Sequence, residues 1–222
     1  MSHDAQPRET ANPRLPFPPS IIAIAGASGS GKTTLAAELA RELDGIHFPL
    51  DSYYVDLSHL PPAERPRENF DDPALIESSL LIAHVAALAR GESIERPLYD
   101  FSRYIRIPDR TETIQASAFV LVEGLFALYY ADLLPLYQLR IYLDTPDDVC
   151  FDRRLRRDTL ERGRTPESVR RQYEATVRPA SLAFVRPSAA NADLIVDGTQ
   201  ALDWKVEQTL SAMRERGLRL PR

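Results

Sequence analysis

The sequence predicts an α/β protein: a doubly wound parallel β-sheet with helices on both faces. Two observations carry that expectation. Short apolar, β-branched runs alternate with helical stretches along the 222 residues, which is the pattern of βαβ units. Several of those runs end on a glycine or a carboxylate, and in such sheets ligands bind outside the carboxyl ends of the strands.

Pro7, Pro13, Pro16, Pro18 and Pro19 interrupt any regular element at the start, so residues 1–18 read as a tail and 19–222 as a single domain. Ile21-Ile22-Ala23-Ile24-Ala25 is short and apolar enough for a buried parallel strand. The next eight residues, Gly26-Ala27-Ser28-Gly29-Ser30-Gly31-Lys32-Thr33, fit the pattern G-x-x-x-x-G-K-[ST] at every fixed position. The following stretch reads as a helix with Leu35, Leu39 and Leu43 along one face. Strand, loop and helix together aim backbone N–H groups and a helix N-terminus at one point, where polyphosphate charge is favoured. A glycine-rich turn that merely precedes a lysine would lack both flanks. Gly26, Ser28, Gly29, Ser30, Gly31, Lys32, Thr33 and Thr34 are therefore the expected nucleotide-binding residues, and the fold is a P-loop NTPase fold. Lys32 would reach the β- and γ-phosphates of ATP or GTP, and the Thr33 hydroxyl would ligate Mg²⁺.

Beyond the loop, Gly45–Leu50 reads as a second strand, with Pro49 placing it near a sheet end. Asp72-Pro73 looks like the capped start of a helix running to about Arg90, with Gly91 just past its end. Residues 93–116 mix β-formers with prolines and charges and suggest a small β-hairpin excursion. Ala118–Val122 and Leu139–Leu143 are clearer buried strands. Thr145 and Thr165 are each placed to cap a helix opened by the following proline. Asp193–Val196 is the last strand, and a C-terminal helix follows Thr199.

The chain carries 27 basic and 32 acidic residues, a net charge of −5, which weighs against a dedicated nucleic-acid binder. No stretch approaches the length of a membrane span. The single cysteine, Cys150, has no internal disulfide partner and points to a reducing compartment, hence the cytoplasm.

Two strand-end carboxylates are the candidate chemistry. Asp51 ends the second strand and suits a base that takes the proton of an attacking hydroxyl. Glu123 ends the strand Ala118–Val122 and suits Mg²⁺, through water. Either could instead cap a neighbouring turn; a phosphate loop in the same sheet favours function. The run Asp152–Arg171 holds eight arginines, broken at Gly163 as a hinged lid would be, so residues 152–178 form an expected arginine-rich helical lid. Some of these arginines are expected only to pair with Asp152, Asp158, Glu161 and Glu167 on a solvated face.

Taken together, Gly26–Thr34, Leu50-Asp51-Ser52-Tyr53-Tyr54, Asn69-Phe70-Asp71, Pro97-Leu98-Tyr99-Asp100-Phe101, Glu123-Gly124, Arg157–Arg164 and Gln172-Tyr173 resemble the uridine–cytidine kinases of the wider phosphoribulokinase/uridine kinase group. The resemblance runs from about Ile21 to Gly198. It implies transfer of the ATP γ-phosphoryl group to the 5′-hydroxyl of a pyrimidine ribonucleoside, in pyrimidine salvage. By the same resemblance Asp51 is the base, Asp71 holds the ribose hydroxyls, and Tyr54, Tyr99, Arg154, Arg164 and Gln172 line the nucleoside site. Arg157 and Arg162 act on the phosphates. The group also implies a homotetramer and feedback inhibition by pyrimidine nucleotides. The chain departs from the pattern at Asp72 and, in the nucleoside site, at Tyr104, where the group usually places histidines. Two other readings stay open: a kinase of the same group acting on another nucleoside, pantothenate or a sugar phosphate, and a nucleotide-gated regulatory protein with an arginine-rich nucleic-acid surface.

Overall fold

The computed structural model describes residues 17–221, so the expected tail lies outside the described residues apart from Phe17 and Pro18. The core is a five-stranded sheet of β1 (Ser20–Ala25), β2 (Ile46–Pro49), β5 (Phe119–Glu123), β6 (Leu139–Asp144) and β7 (Leu194–Asp197). Every pairing in it is parallel, and the order is β2-β5-β1-β6-β7. β2 is an edge strand, which is where Pro49, having no N–H to give a ladder, is tolerated.

Alternation along the strands feeds two cores. Ile21, Ala23 and Ala25 of β1 join Val120 and Val122 on one face, under α2 (Ser78–Ala89) with its Leu81, Val85 and Leu88. Ile22 and Ile24 face the other way with Leu121, Ile141 and Leu143. There they meet Leu35 and Leu39 of α1 (Lys32–Glu42) and Met213 of α6 (Leu202–Glu215). The period of two in the strands and of 3.6 in the helices thus gives a sheet buried on both faces. Truncating a fully buried leucine such as Leu35 costs about 2–5 kcal/mol.

The excursion is a hairpin, β3 (Ile94–Asp100) with β4 (Ile105–Ile114), antiparallel and separate from the main sheet. Its register shifts between Pro97 and Tyr99, where the proline offers no donor. The Asp100 carboxylate ties the turn by accepting from Ser102 N at 2.9 Å and Arg103 N at 3.2 Å.

Two expectations are corrected. Asp72 does cap, accepting from Ala74 N at 2.8 Å, but it caps a 3-10 turn (Pro73–Leu75) rather than the helix. α2 starts only at Ser78, because Ile76 is drawn into an antiparallel bridge with Tyr54. Thr145 caps nothing: its hydroxyl donates to Ser30 O at 3.3 Å, so it braces the phosphate loop instead. By contrast Thr165 caps as expected, accepting from Ser168 N at 3.2 Å.

The arginine-rich run forms α3 (Asp147–Leu160) and α4 (Pro166–Gln172), broken at Gly163 with φ +62°, a backbone that favours glycine. Beyond α4 the helix continues through π turns at Tyr173–Val177 and Ser181–Val185, with α5 (Arg178–Ala180) between them. Pro179 sits in α5, and wider turns are how a helix accommodates a missing N–H and a ring against the preceding turn.

Candidate active site

The phosphate loop, Asp51 and Glu123 all lie at the carboxyl edge of the main sheet. The loop Gly26–Gly31 joins β1 to α1, and the α1 N-terminus opens onto it. Gly29 has φ +90°, and a Cβ there would collide with the Cys150 carbonyl oxygen, so no other residue fits. Arg153 donates to Ser30 O at 3.1 Å, adding a second brace beside Thr145. Lys32 folds back on the loop, donating to Ala27 O at 3.4 Å.

Thr33 Oγ1 donates to Glu123 Oε1 at 3.1 Å, which joins the first helical turn to the end of β5. His47 Nε2 lies 3.4 Å from the same oxygen. Glu123 is only 4% exposed. Burial pushes its carboxyl up, but the contacts with His47 and Thr33 and the charge of Lys32 outweigh it, and the group is held below the usual glutamate range. An ionised, buried carboxylate beside a threonine hydroxyl and a phosphate loop fits a hard cation. Among the described residues no three His, Cys, Asp or Glu cluster as a protein-only metal cage. The Glu123 carboxylate and the Thr33 hydroxyl are ligand types that Mg²⁺ accepts, since it keeps its waters and draws other ligands from phosphate.

Asp51 lies in a 3-10 turn (Leu50–Tyr53) at the end of β2, next to β5 and hence near Glu123. Water reaches its side chain, although protein packs around it at longer range. Loss of hydration and the Glu123 charge push its carboxyl up to about 6, with Lys32 opposing. Asp71 is buried, and burial raises its carboxyl against the pull of Arg154, Lys32 and Arg157.

Aromatic rings line one wall. Tyr54 packs edge-on against Phe70 at 5.2 Å and donates its hydroxyl to Phe70 O at 3.0 Å. Tyr99 leans on Tyr54 at 5.7 Å, and its buried hydroxyl has no partner among the described residues. Tyr104 packs on Phe70 at 5.2 Å from a backbone with φ +58°.

The arginines converge on Asp158, which the sequence places on a solvated face and the structure buries fully. Its Oδ1 lies 2.9 Å from Arg157 and 3.4 Å from Arg162, and its Oδ2 lies 3.5 Å from Arg164 and 3.6 Å from Arg154. The spacing carries a signal: Arg154 and Asp158 lie four apart on one face of α3, and Arg162 follows four residues later, just past the helix end. Arg154 goes further, donating to Ser28 Oγ at 2.8 Å in the phosphate loop and to Gln172 Oε1 at 3.1 Å. Arg164 donates to the same Gln172 oxygen at 2.5 Å, which leaves the amide NH₂ as the group Gln172 can offer.

The sequence profile of the Phosphoribulokinase / Uridine kinase family matches residues 21–204. The chain belongs to that family. Uridine kinase from Chloroflexus aurantiacus (strain ATCC 29366 / DSM 635 / J-10-fl) is 45% identical over 183 residues, covering 81% of this chain and 87% of the relative. Uridine kinase from Escherichia coli (strain K12) is 42% identical over 184 residues, covering 79% and 85%. Among solved structures, a putative fructose transport system kinase from Silicibacter sp. TM1040 superposes with a TM-score of 0.63 at 25% identity, covering 83% of this chain and 92% of the other. Phosphoribulokinase from Rhodobacter spheroides gives a TM-score of 0.59 at 14% identity, covering 82% and 73%, a likeness of fold. As a member of the phosphoribulokinase/uridine kinase family the chain is a kinase with ATP as phosphate donor and a small-molecule substrate. No helix among its described residues is long and apolar enough to cross a membrane.

Proposed function

We propose that this protein is a uridine kinase that transfers the γ-phosphoryl group of ATP to the 5′-hydroxyl of uridine, and of cytidine where the pocket admits it, in pyrimidine salvage. The observation that carries the reading is the convergence of the phosphate loop, Asp51 and the Tyr54–Tyr99–Tyr104 wall in a chain 42–45% identical to uridine kinases.

Asp51 accepts the proton of the 5′-hydroxyl as its oxygen bonds to the γ-phosphorus. The bond from the γ-phosphorus to the β,γ-bridging oxygen breaks, and ADP leaves. The loop amides from Gly26 to Gly31 and the Lys32 ammonium hold the β- and γ-phosphates, with Ser28, Ser30 and Thr34 along the same loop. Thr33 and, through water, Glu123 would hold Mg²⁺, which neutralises phosphate oxygens when bound. Asp71 takes the ribose hydroxyls; Tyr54, Tyr99, Tyr104, Arg154, Arg164 and Gln172 enclose the nucleoside. Arg157 and Arg162 rest on Asp158 and, as a lid over residues 152–178 closes, bring positive charge to the transferring group and exclude water. Residues 19–222 work as one kinase domain, in the cytoplasm and as a homo-oligomer, a tetramer by family likeness. GTP is a second donor to be tested.

The alternative within the family is another small hydroxyl substrate, toward which the likeness to the fructose transport system kinase points. A panel of all common nucleosides, pantothenate and sugar phosphates with ATP and Mg²⁺ separates the two. Turnover highest on uridine or cytidine is expected; turnover confined to a sugar or pantothenate overturns the reading.

A further inference from the structure

We propose that Arg106, on β4, is a positioning residue that holds the base-facing wall of the hairpin in register with the turn carrying Asp51. The inference rests on the function proposed above and concerns how two separately built halves of that site are kept together. The hairpin shares no ladder with the main sheet, so side chains must set its distance from Asp51.

Arg106 uses every nitrogen of its guanidinium on a different anchor. Nε donates to Tyr54 O at 3.0 Å and Nη2 to Tyr53 O at 3.3 Å, both directly after Asp51 and Ser52. Nη1 pairs with the Glu77 carboxylate, just before α2. Its backbone N–H donates to Asp56 Oδ1 at 3.1 Å. Only a planar, permanently charged fork with this many donors reaches two carbonyls and a carboxylate at once. The tie to the base-facing wall is equally direct. Arg106 is the cross-strand partner of Tyr99, whose ring packs on Tyr54. It also lies two residues after Tyr104, held at φ +58°, a conformation a bulky side chain rarely keeps unaided. On the other flank of Tyr104, Arg103 O accepts from Arg65 Nη1 at 3.3 Å, so both neighbours are pinned to the segment between Asp56 and Arg65.

The test compares wild type, Arg106→Met and Arg106→Lys in steady-state kinetics with uridine and ATP, alongside thermal unfolding and amide hydrogen exchange. Arg106→Lys keeps a charge for Glu77 but cannot also hold both carbonyls. In both variants the uridine KM is expected to rise roughly tenfold or more with a fall in kcat, while the ATP KM stays within about twofold. Exchange should speed up at Tyr53–Tyr54 and across residues 99–106 and stay unchanged in the phosphate loop. The lysine variant should recover thermal stability without recovering the uridine KM. An unchanged uridine KM, or uridine and ATP KM values rising together in step with lost stability, would overturn the inference. If wild type phosphorylates no nucleoside, the proposed function fails, and the exchange pattern alone decides whether Arg106 holds the two segments together.

Discussion

A carboxyl at about 6 makes Asp51 sensitive to pH just below neutrality, and its proposed role fixes the sign of that sensitivity. As a base it must be ionised, so kcat/KM should fall as pH drops through about 6, and Asp51→Asn should remove that limb while lowering kcat by roughly two or more orders of magnitude. Stability moves the opposite way. The folded value lies above the ordinary 3.8, so the folded state favours the proton, and the ionised form is penalised increasingly as pH rises from about 4 to about 6. Asp51→Asn should therefore melt higher than wild type at pH well above 6 and match it only below about 3.8, which thermal scans at both ends would check. Asp71→Asn is expected to raise the nucleoside KM with a smaller effect on kcat, since it removes the proposed ribose contacts, which are made before chemistry. Tyr104→His should change the uridine-to-cytidine ratio of kcat/KM by roughly tenfold or more, because a phenol and an imidazole place their polar atoms at different depths and a buried group left unpaired is costly. An unchanged ratio would mean that Tyr104 does not face the base.

Among the elements, the α3–α4 pair decides between a lid and a solvated face. Arg157 and Arg162 share Asp158, whereas Arg170 lies over the Phe151 ring at 5.1 Å. Arg157→Ala or Arg162→Ala should depress kcat, with Arg170→Ala near neutral; equal small effects at all three would remove the lid. Asp158→Asn should also destabilise, though by less than the about 3–5 kcal/mol of a fully buried pair, because Arg162 is 56% exposed. Denaturant titration measures this directly. At this scale much was legible beforehand. The phosphate loop, the hairpin, the apolar strands and the break at Gly163 each follow from local signals of spacing and turn chemistry. The start of α2 did not, since Ile76 leaves the helix for a bridge with Tyr54, a partner far away in sequence. Thr145 misled for the same reason: its hydroxyl finds Ser30 O across the fold rather than its own helix.

At the scale of the whole molecule, the parallel order β2-β5-β1-β6-β7 places Asp51 and Glu123 on neighbouring strand ends beside the phosphate loop. Composition and periodicity indicated a doubly wound sheet but could not give that order, because strand pairing is set by non-local packing. The docking of the hairpin through Arg106 was hidden likewise, because it depends on side chains brought together from distant segments. On the function proposed above, the arrangement as a whole has one chemical consequence, transfer from ATP to a nucleoside 5′-oxygen rather than to water. The most direct test is product analysis after a single turnover of wild-type enzyme with γ-labelled ATP, Mg²⁺ and uridine. The account predicts uridine 5′-monophosphate carrying the label in equal amount to ADP. ADP with free labelled phosphate and no nucleotide product, or label on another ribose hydroxyl, would contradict it.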